Sequence, residues 1–347
     1  MTTTKIGWNI PTNRTLPKMN TIFRILASLV ILFPLLASAA DPRLVRIASG
    51  GHVAHFLPLD IAIHHGFFEE EGLKPEVTYL KAGTPTAQAL LAGQVDFSTN
   101  GIEHTFKAAI RGKDNLRMVV LMNRLPGMVL VVHGKHRDRV KGIADLKGLT
   151  LGVTSKGAAT HMVLNYLLDR NGVSPNEATV IKAGVSTFPP ALQNHQIDGG
   201  IALEPFASML VERGNAFVLA DLTTLANTEE VFGGPYNLAG MLTRQEVIDA
   251  EPALVGKVAR AIRKALRRIA THSPQVIVED LPMAVVGADR ERIIKTLGKL
   301  EEFYSPDGHI VPAGVDSVFR SMQLSGALPK NTIKNPDRFY TNRFIVD

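Results

Sequence analysis

Short apolar runs alternate with helical patterns along the first third of the chain. Runs at 44–48, 76–80, 95–99 and 116–122 predict strands, and patterns at 58–65, 84–92 and 103–111 predict helices. The helix after the second strand has the clearest ends, because Thr84 suits its cap, Pro85 its first turn and Gly93 the position after its last turn. This alternation is typical of α/β domains with parallel sheets.

The same order of elements recurs further along the chain. Strands are predicted at 128–132, 149–153, 178–181 and 197–203, with helices at 158–169 and near 190–194. The segments 72–75 and 89–96 reappear as 172–175 and 191–198, at offsets of 100 and 102 residues. We therefore expect two similar lobes around a shared cleft, with residues 41–127 plus 243–347 in lobe 1 and 128–242 in lobe 2. A strand at 237–242 returns toward lobe 1, and the chain is mostly helical from 246 to about 300.

Residues 1–40 are predicted to be a leader with a signal peptide. The apolar run from Ile25 to Leu36 is too short for a membrane span, which needs about 20 residues, and small residues follow it up to Ala40. This pattern predicts export to the periplasm and cleavage near Ala39 or Ala40. Met1 and Met19 both remain possible starts. The chain has no cysteine, so the exported protein carries neither a disulfide nor a lipid-modified cysteine.

Charge and composition favour a binding protein over an enzyme. The net charge is +6, but four of the 38 basic residues and none of the 32 acidic ones lie before residue 41. The remaining surplus is small and no basic run has interleaved aromatics, which argues against a nucleic-acid partner. No catalytic cluster stands out, and we expect a monomer without a cofactor. Asp96 and Asp198 are predicted to stabilise equivalent turns of the two lobes rather than to act as paired acids.

Several motifs together resemble one family. The segment 65–73 (HGFFEEEGL), the segments 89–97, 143–148, 196–198 and 204–205, and the C-terminal 337–342 are similar to nitrate/sulfonate/taurine-type substrate-binding proteins of ABC importers. The resemblance implies a two-lobed, hinge-closing α/β fold of the periplasmic-binding-protein type (type II), in which each lobe is a mostly parallel sheet flanked by helices. It also implies a permease and its ATPase subunits as partners. His195, where the first copy has Gly93, departs from the repeat.

Ligands of open parallel sheets bind beyond the carboxyl ends of the strands. This rule places four loops at the cleft, and their candidate ligand contacts are Gly51, His52, His55 and Phe56; Asn100 and Gly101; Arg124; and Ser155, Lys156, Gly157 and Thr160. The last loop opens a helix, so its N–H groups, its hydroxyls and Lys156 predict an oxyanion site. His52 and His55 are either donors in the cleft or, with His64 and His65, metal ligands; we favour donors and predict no metal site.

Three further candidates follow strands of the second lobe. Glu204 is expected either to accept a hydrogen bond from a ligand or to form a hydrogen bond between the lobes on closure, and Phe206 lies beside it. Tyr236 is expected to stack on the ligand or to bond it. The predicted ligand is a small organic anion, a sulfonate or a carboxylate, with either an aliphatic or an aromatic body. The alternatives are a pyrimidine-type vitamin precursor, or a vitamin-pathway enzyme of related fold, whose family carries a cysteine-rich segment that this chain lacks.

Overall fold

The fold is taken from a computed structural model that describes residues 41–80, 82–174, 176–279, 281, 283–287 and 289–346. The predicted leader and its cleavage site lie outside these residues. Residues 42–347 form one compact unit. Within the described ranges, no helix has both the length and the apolar character needed to cross a membrane.

The described residues form ten strands and fourteen α-helices. The strands are β1 (Arg43–Ser49), β2 (Leu73–Tyr79), β3 (Phe97–Gly101), β4 (Leu116–Leu121), β5 (Met128–His133), β6 (Thr150–Val153), β7 (Thr179–Lys182), β8 (Gly199–Leu203), β9 (Ala216–Leu222) and β10 (Ala239–Arg244). The helices are α1 (Leu57–His64), α2 (Phe67–Glu70), α3 (Gly83–Leu91), α4 (Glu103–Ala109), α5 (Ala159–Arg170), α6 (Phe188–Gln193), α7 (Phe206–Glu212), α8 (Leu225–Phe232), α9 (Gln245–Ala250), α10 (Pro252–Thr271), α11 (Pro274–Glu279), α12 (Met283–Val286), α13 (Arg290–Lys299) and α14 (Pro312–Leu324).

The strands form two five-stranded sheets with equivalent topologies. The first sheet has the order β2-β1-β3-β10-β4 and the second β7-β6-β8-β5-β9. In each sheet four strands run in the same direction, and the fourth in spatial order runs antiparallel to both of its neighbours. The predicted two-lobed α/β fold with mostly parallel sheets is therefore confirmed. Strand β10 pairs with β3 and β4, so the strand that was expected to return toward lobe 1 belongs to the first sheet.

The internal repeat is visible in the hydrogen bonds. Asp96 accepts a bond from the backbone N–H of Arg46 at 3.0 Å, and Asp198 accepts one from Thr150 N–H at 3.1 Å. Each aspartate thus ties the start of one parallel strand to the start of its neighbour, as predicted for turns in equivalent places. At the preceding turn Gly93 has φ 72° and His195 has φ 57°. His195 therefore adopts the left-handed conformation for which the first copy uses glycine.

Apolar faces of the C-terminal helices complete the core of lobe 1. The buried face of α10, with Val258, Ile262 and Leu266, packs in one cluster with Ile47 of β1 and Leu59 of α1. Its polar face forms ion pairs with α2 and the residue that follows it, for example between Lys264 and Glu70 at 2.9 Å. The basic residues of α10 thus lie on a partly solvated face that forms ion pairs. Strand β9 and helices α8 and α14 have no counterpart among the predicted elements.

Candidate functional site

The carboxyl ends of parallel strands from both sheets surround a cavity of about 510 Å³, part of which is open to solvent. Lobe 1 contributes the loops after β1, β2 and β3, and lobe 2 contributes the loops after β6, β7 and β8. This is the position that open α/β sheets use for ligands. The residues that line the cavity are Gly50, Val53, His55, Phe56, Ala82, Gly83, Asn100, Gly101, Glu103, His104, Met128, Thr154, Ala158, Ala159, Thr160, Val185, Leu203, Leu238 and Ala239.

Glu103, at the start of α4, is the acidic residue among the described lining residues. Its carboxylate is buried, and its Oε2 atom has no hydrogen-bond partner. Burial raises the pKa of this carboxyl, while the ammonium of Lys107 and the backbone N–H groups of Glu103 and Ala159 oppose the rise. A side chain at Gly101 would overlap the Glu103 carboxylate. The glycine that ends β3 therefore allows the carboxylate to occupy this position.

Two buried histidines also line the cavity, and Nε2 of one of them, His104, lies 3.4 Å from Glu103 Oε1. The Nε2–H of His55 donates to the Pro126 carbonyl at 2.9 Å, which leaves Nδ1 as an acceptor without a partner. Burial lowers the pKa of His55 to about 4 despite that bond. Burial also lowers the pKa of His104 to about 3, helped by Lys107 and Arg111. Both imidazoles are therefore neutral at pH 7, and neither supplies a positive charge to the cavity.

The remaining walls are apolar or already hydrogen-bonded. Asn100 donates through Nδ2 to Gly83 O at 2.9 Å and to Thr86 Oγ1 at 2.8 Å. Thr160 accepts through Oγ1 from Thr154 N–H at 3.1 Å. Apolar side chains from both lobes, among them Phe56 and Leu203, form much of the surface. None of the described lining residues is a lysine or an arginine, so the cavity presents acceptors and apolar surface rather than cations.

The loop predicted to hold an oxyanion has a different arrangement. Its helix, α5, begins at Ala159, whose backbone N–H acts to lower the pKa of the Glu103 carboxyl of the other lobe. Thr160 lines the cavity, but Ser155 Oγ bonds Thr84 Oγ1 at 3.3 Å across the lobes. The N-terminus of α5 thus acts on a carboxyl group of the protein itself.

Lys156 and Gly157, in the same loop, do not reach the cavity. Lys156 is exposed, and both residues line a separate recess. The Gly157 carbonyl accepts a hydrogen bond from Lys107 Nζ, again across the lobes. The predicted cationic contact of Lys156 with a ligand is therefore corrected, because its side chain lies outside the cavity.

Two other predicted contacts lie in the segments that connect the lobes. The Nε–H of Arg124 donates to the Glu302 carbonyl at 2.7 Å, and Arg124 does not line the cavity. Tyr236 is fully buried, and its hydroxyl bonds Ser321 Oγ at 3.0 Å. Both expectations are corrected: these side chains hold the connecting segments against α14 and the turn after α13.

The predicted contacts Gly51, His52 and Phe206 lie beside the cavity rather than in it. They line a neighbouring recess between the loop after β1 and residues 182–187. His52 Nδ1 bonds Asp60 Oδ1 at 3.1 Å, and its ring lies 3.9 Å from that of Tyr79. The bond to Asp60 raises the pKa of His52, against the effect of burial. Val53 lines both the recess and the cavity, so the two are direct neighbours.

Glu204 forms an ion pair between the lobes. Its carboxylate is fully buried at the end of β8 and accepts from Lys299 Nζ at 3.0 Å. It also accepts bonds from the N–H and the hydroxyl of Ser208. Lys299 ends α13, whose apolar residues belong to the core of lobe 1, and it also contacts Asp221 Oδ2 at 3.0 Å. Of the two roles predicted for Glu204, the structure shows the contact between lobes.

The histidines near β1 go to separate partners. His52 bonds Asp60 and His55 bonds Pro126, whereas the rings of His64 and His65 lie 5.3 Å apart at the end of α1. In the described part of the chain, no group of three or more His, Cys, Asp or Glu residues is placed to hold a metal ion. Glu103 and His104 line the cavity, and neither was among the residues predicted from the sequence. A signal was available, since an acid opens the helix directly after the Asn100–Gly101 loop.

Comparison with known proteins agrees with this geometry. The family described as NMT1/THI5 like matches residues 54–275. Binding protein YtlA of Bacillus subtilis (strain 168) is 25% identical over 89% of this chain and 92% of its own length. The 4-amino-5-hydroxymethyl-2-methylpyrimidine phosphate synthase of Schizosaccharomyces pombe is 29% identical, but over 46% of this chain and 44% of the enzyme.

Solved structures share the fold over nearly the whole described chain. A protein from Bordetella bronchiseptica RB50 superposes with a TM-score of 0.81 at 30% identity, covering 88% of this chain and 96% of that one. The alkanesulfonate-binding protein SsuA from Xanthomonas axonopodis pv. citri, bound to MOPS, superposes with a TM-score of 0.69 at 20% identity, covering 87% of this chain and 100% of that one. The chain therefore has the fold of ABC-type solute-binding proteins.

Proposed function

Because the chain belongs to the NMT1/THI5-like family, we propose that it is the solute-binding component of an ABC importer. It encloses a small molecule between its lobes in the periplasm and delivers it to a permease in the membrane. The cavity at the carboxyl ends of both sheets and the ion pair between Glu204 and Lys299 support this role. The similarity to YtlA along nearly the whole chain also favours a binding protein.

We infer that the ligand is a small ring bearing N–H donors, of the aminopyrimidine class. The observation that carries this inference is the pair of unpartnered acceptors on lining side chains, Glu103 Oε2 and His55 Nδ1. Buried acceptors without partners cost free energy, which a ligand with matching donors recovers. Phe56, Met128 and Leu203 supply apolar surface for the faces of a ring. Asn100, Gly101 and Thr160 complete the proposed contacts.

A sulfonate or carboxylate fits this cavity less well. An anion would meet the Glu103 carboxylate and no lysine or arginine among the described lining residues. The N–H of Ala159, which would suit an anion, already faces that carboxylate. The similarity to a pyrimidine phosphate synthase covers less than half of that enzyme. It supports the ligand class, and a binding role is consistent with the absence of cysteine from the chain.

Thermal unfolding tests the ligand class. The protein is unfolded and refolded to remove any ligand carried through purification, and is then heated with 4-amino-5-hydroxymethyl-2-methylpyrimidine, taurine, an alkanesulfonate or nitrate. We expect only the pyrimidine to raise Tm. At 100 times its Kd it should increase the free energy of unfolding by about 2.7 kcal/mol. Glu103→Gln should weaken pyrimidine binding by about 10- to 100-fold, because a hydrogen bond to a charged group contributes about 1.5–3 kcal/mol.

Glu229→Gln is the matched control, since Glu229 is exposed on α8 and its change also removes one carboxylate. It should leave affinity unchanged. A Tm shift with a sulfonate that survives Glu103→Gln and disappears in Lys156→Ala would instead establish the oxyanion site predicted from the sequence. No shift with any of these compounds would contradict the aminopyrimidine proposal.

A further inference from the structure

A second recess lies on the seam between the lobes, outside the ligand cavity. It encloses about 730 Å³, and four basic side chains line it: Lys107, Arg111, Lys113 and Lys156. We call this set the basic recess. Its other walls come from α3, α4 and the segment after α14, and no acidic residue is among the described lining residues. The basic recess is therefore a concave surface of one charge sign.

The charges of the basic recess are not neutralised within the described chain. Arg111, Lys113 and Lys156 are exposed and form no ion pair there, whereas Lys264 and Lys299 each contact two carboxylates. Burial lowers the pKa of Lys107, and Arg111 lowers it further against the effect of Glu103. These like charges repel one another, and an acidic partner would relieve the repulsion.

Both lobes contribute to the basic recess. Lys107, Arg111 and Lys113 lie in α4 and the turn that follows it in lobe 1, and Lys156 lies in the loop after β6 in lobe 2. The seam is held there by the bond from Lys107 to the Gly157 carbonyl and by the contact of 3.3 Å between Thr84 Oγ1 and Ser155 Oγ. Opening of the lobes would separate Lys156 from the other three cations. The complete recess is thus a property of the closed protein.

We propose that the basic recess docks an acidic segment of the membrane permease, and that it does so on the closed protein. This step rests on the proposed function only for the identity of the partner. Because a segment that binds the closed form better must also favour closure, docking and ligand retention would support each other. Interactions between exposed charges steer encounter and select the partner, so we expect the docking to be fast and sensitive to salt.

The test uses a fluorescein-labelled hexaglutamate peptide as the probe, with anisotropy as the measurement and no small ligand present. Thr84→Cys/Ser155→Cys locks the seam when oxidised, because the chain has no other cysteine and the two hydroxyl oxygens are 3.3 Å apart. The same variant after reduction is its control. We expect oxidation to tighten peptide binding by about tenfold or more.

Charge reversals on each lobe distinguish binding in the basic recess from nonspecific electrostatic attraction to the protein. Arg111→Glu in lobe 1 and Lys156→Glu in lobe 2 should each weaken binding to the oxidised variant by about tenfold. Arg267→Glu, an equal change of charge at an exposed site on α10, should leave it within about twofold.

Three results would overturn the proposal: no saturable binding at low salt, equal binding before and after oxidation, or equal weakening by Arg267→Glu. Because the titration contains no small ligand, it succeeds or fails independently of the ligand class. If the recess binds the peptide but no transported solute is found, the docking surface stands and only its assignment to a permease falls.

Discussion

Removing Lys299 should open the protein, because its ammonium is the lobe 1 partner of the buried Glu204 carboxylate. Lys299→Met keeps the length of the side chain and removes its charge, so Glu204 retains only the two bonds from Ser208. Breaking a fully buried ion pair costs about 3–5 kcal/mol. Lys299 is 33% exposed, so water replaces part of the interaction, and we expect a loss of about 2 kcal/mol.

The loss falls on the closed form, since opening would expose both partners to water in either variant. A change of about 2 kcal/mol lowers the ratio of closed to open protein about 30-fold. Spin labels at Lys74→Cys in lobe 1 and Arg213→Cys in lobe 2 can report this ratio, because both sites are exposed and the chain has no native cysteine. Pulsed electron resonance then measures the distribution of distances between the lobes with and without Lys299.

A second substitution identifies the cause. Glu204→Gln keeps the size of the side chain and an oxygen that accepts hydrogen bonds, and it removes the charge that Lys299→Met leaves unpaired. The double variant should therefore recover most of the closed population. If Lys299→Met leaves the distance distribution unchanged, or if the double variant is as open as the single one, the ion pair does not hold the lobes together.

Other predictions concern stability. Gly93→Ala should lower the free energy of unfolding by about 1 kcal/mol, because its Cβ would meet no atom but its backbone must keep φ 72°. His195→Gly should leave that free energy unchanged or raise it by up to about 1 kcal/mol. Urea denaturation measures both changes, and two changes of the same sign would contradict the strain argument. Tyr236→Phe should lower the unfolding free energy by about 1 kcal/mol and leave ligand affinity unchanged. Burial keeps His55 neutral with a pKa of about 4, so the unfolded chain binds its proton first as the pH falls. Stability should therefore decrease from about pH 6.5 toward pH 4, by up to about 1.4 kcal/mol per pH unit, and His55→Gln should flatten the slope.

The sequence predicts the two-lobed architecture well because that architecture follows from patterns within short segments of the chain. Alternating strands and helices and a repeat with offsets near 100 residues indicate two lobes, and both repeat aspartates occupy equivalent turns. The strand expected at 237–242 on the way back to lobe 1 does pair with strands of that lobe, but an apolar run alone does not show that its neighbours are β3 and β4. The burial of Tyr236 is likewise set by its packing against Ser321, 85 positions away along the chain.

At the ligand site, residue types along the sequence do not determine which group lies at the N-terminus of α5. A helix N-terminus with nearby hydroxyls and a lysine predicts attraction for an anion, and the N–H of Ala159 does face one. That anion is the carboxylate of Glu103, 56 positions earlier and on the other lobe. Which group lies at the α5 N-terminus depends on how the two lobes meet. Under the proposed function, this carboxylate favours a ligand that donates hydrogen bonds to Glu103 over one that accepts them from α5, and the Glu103→Gln titration tests that preference.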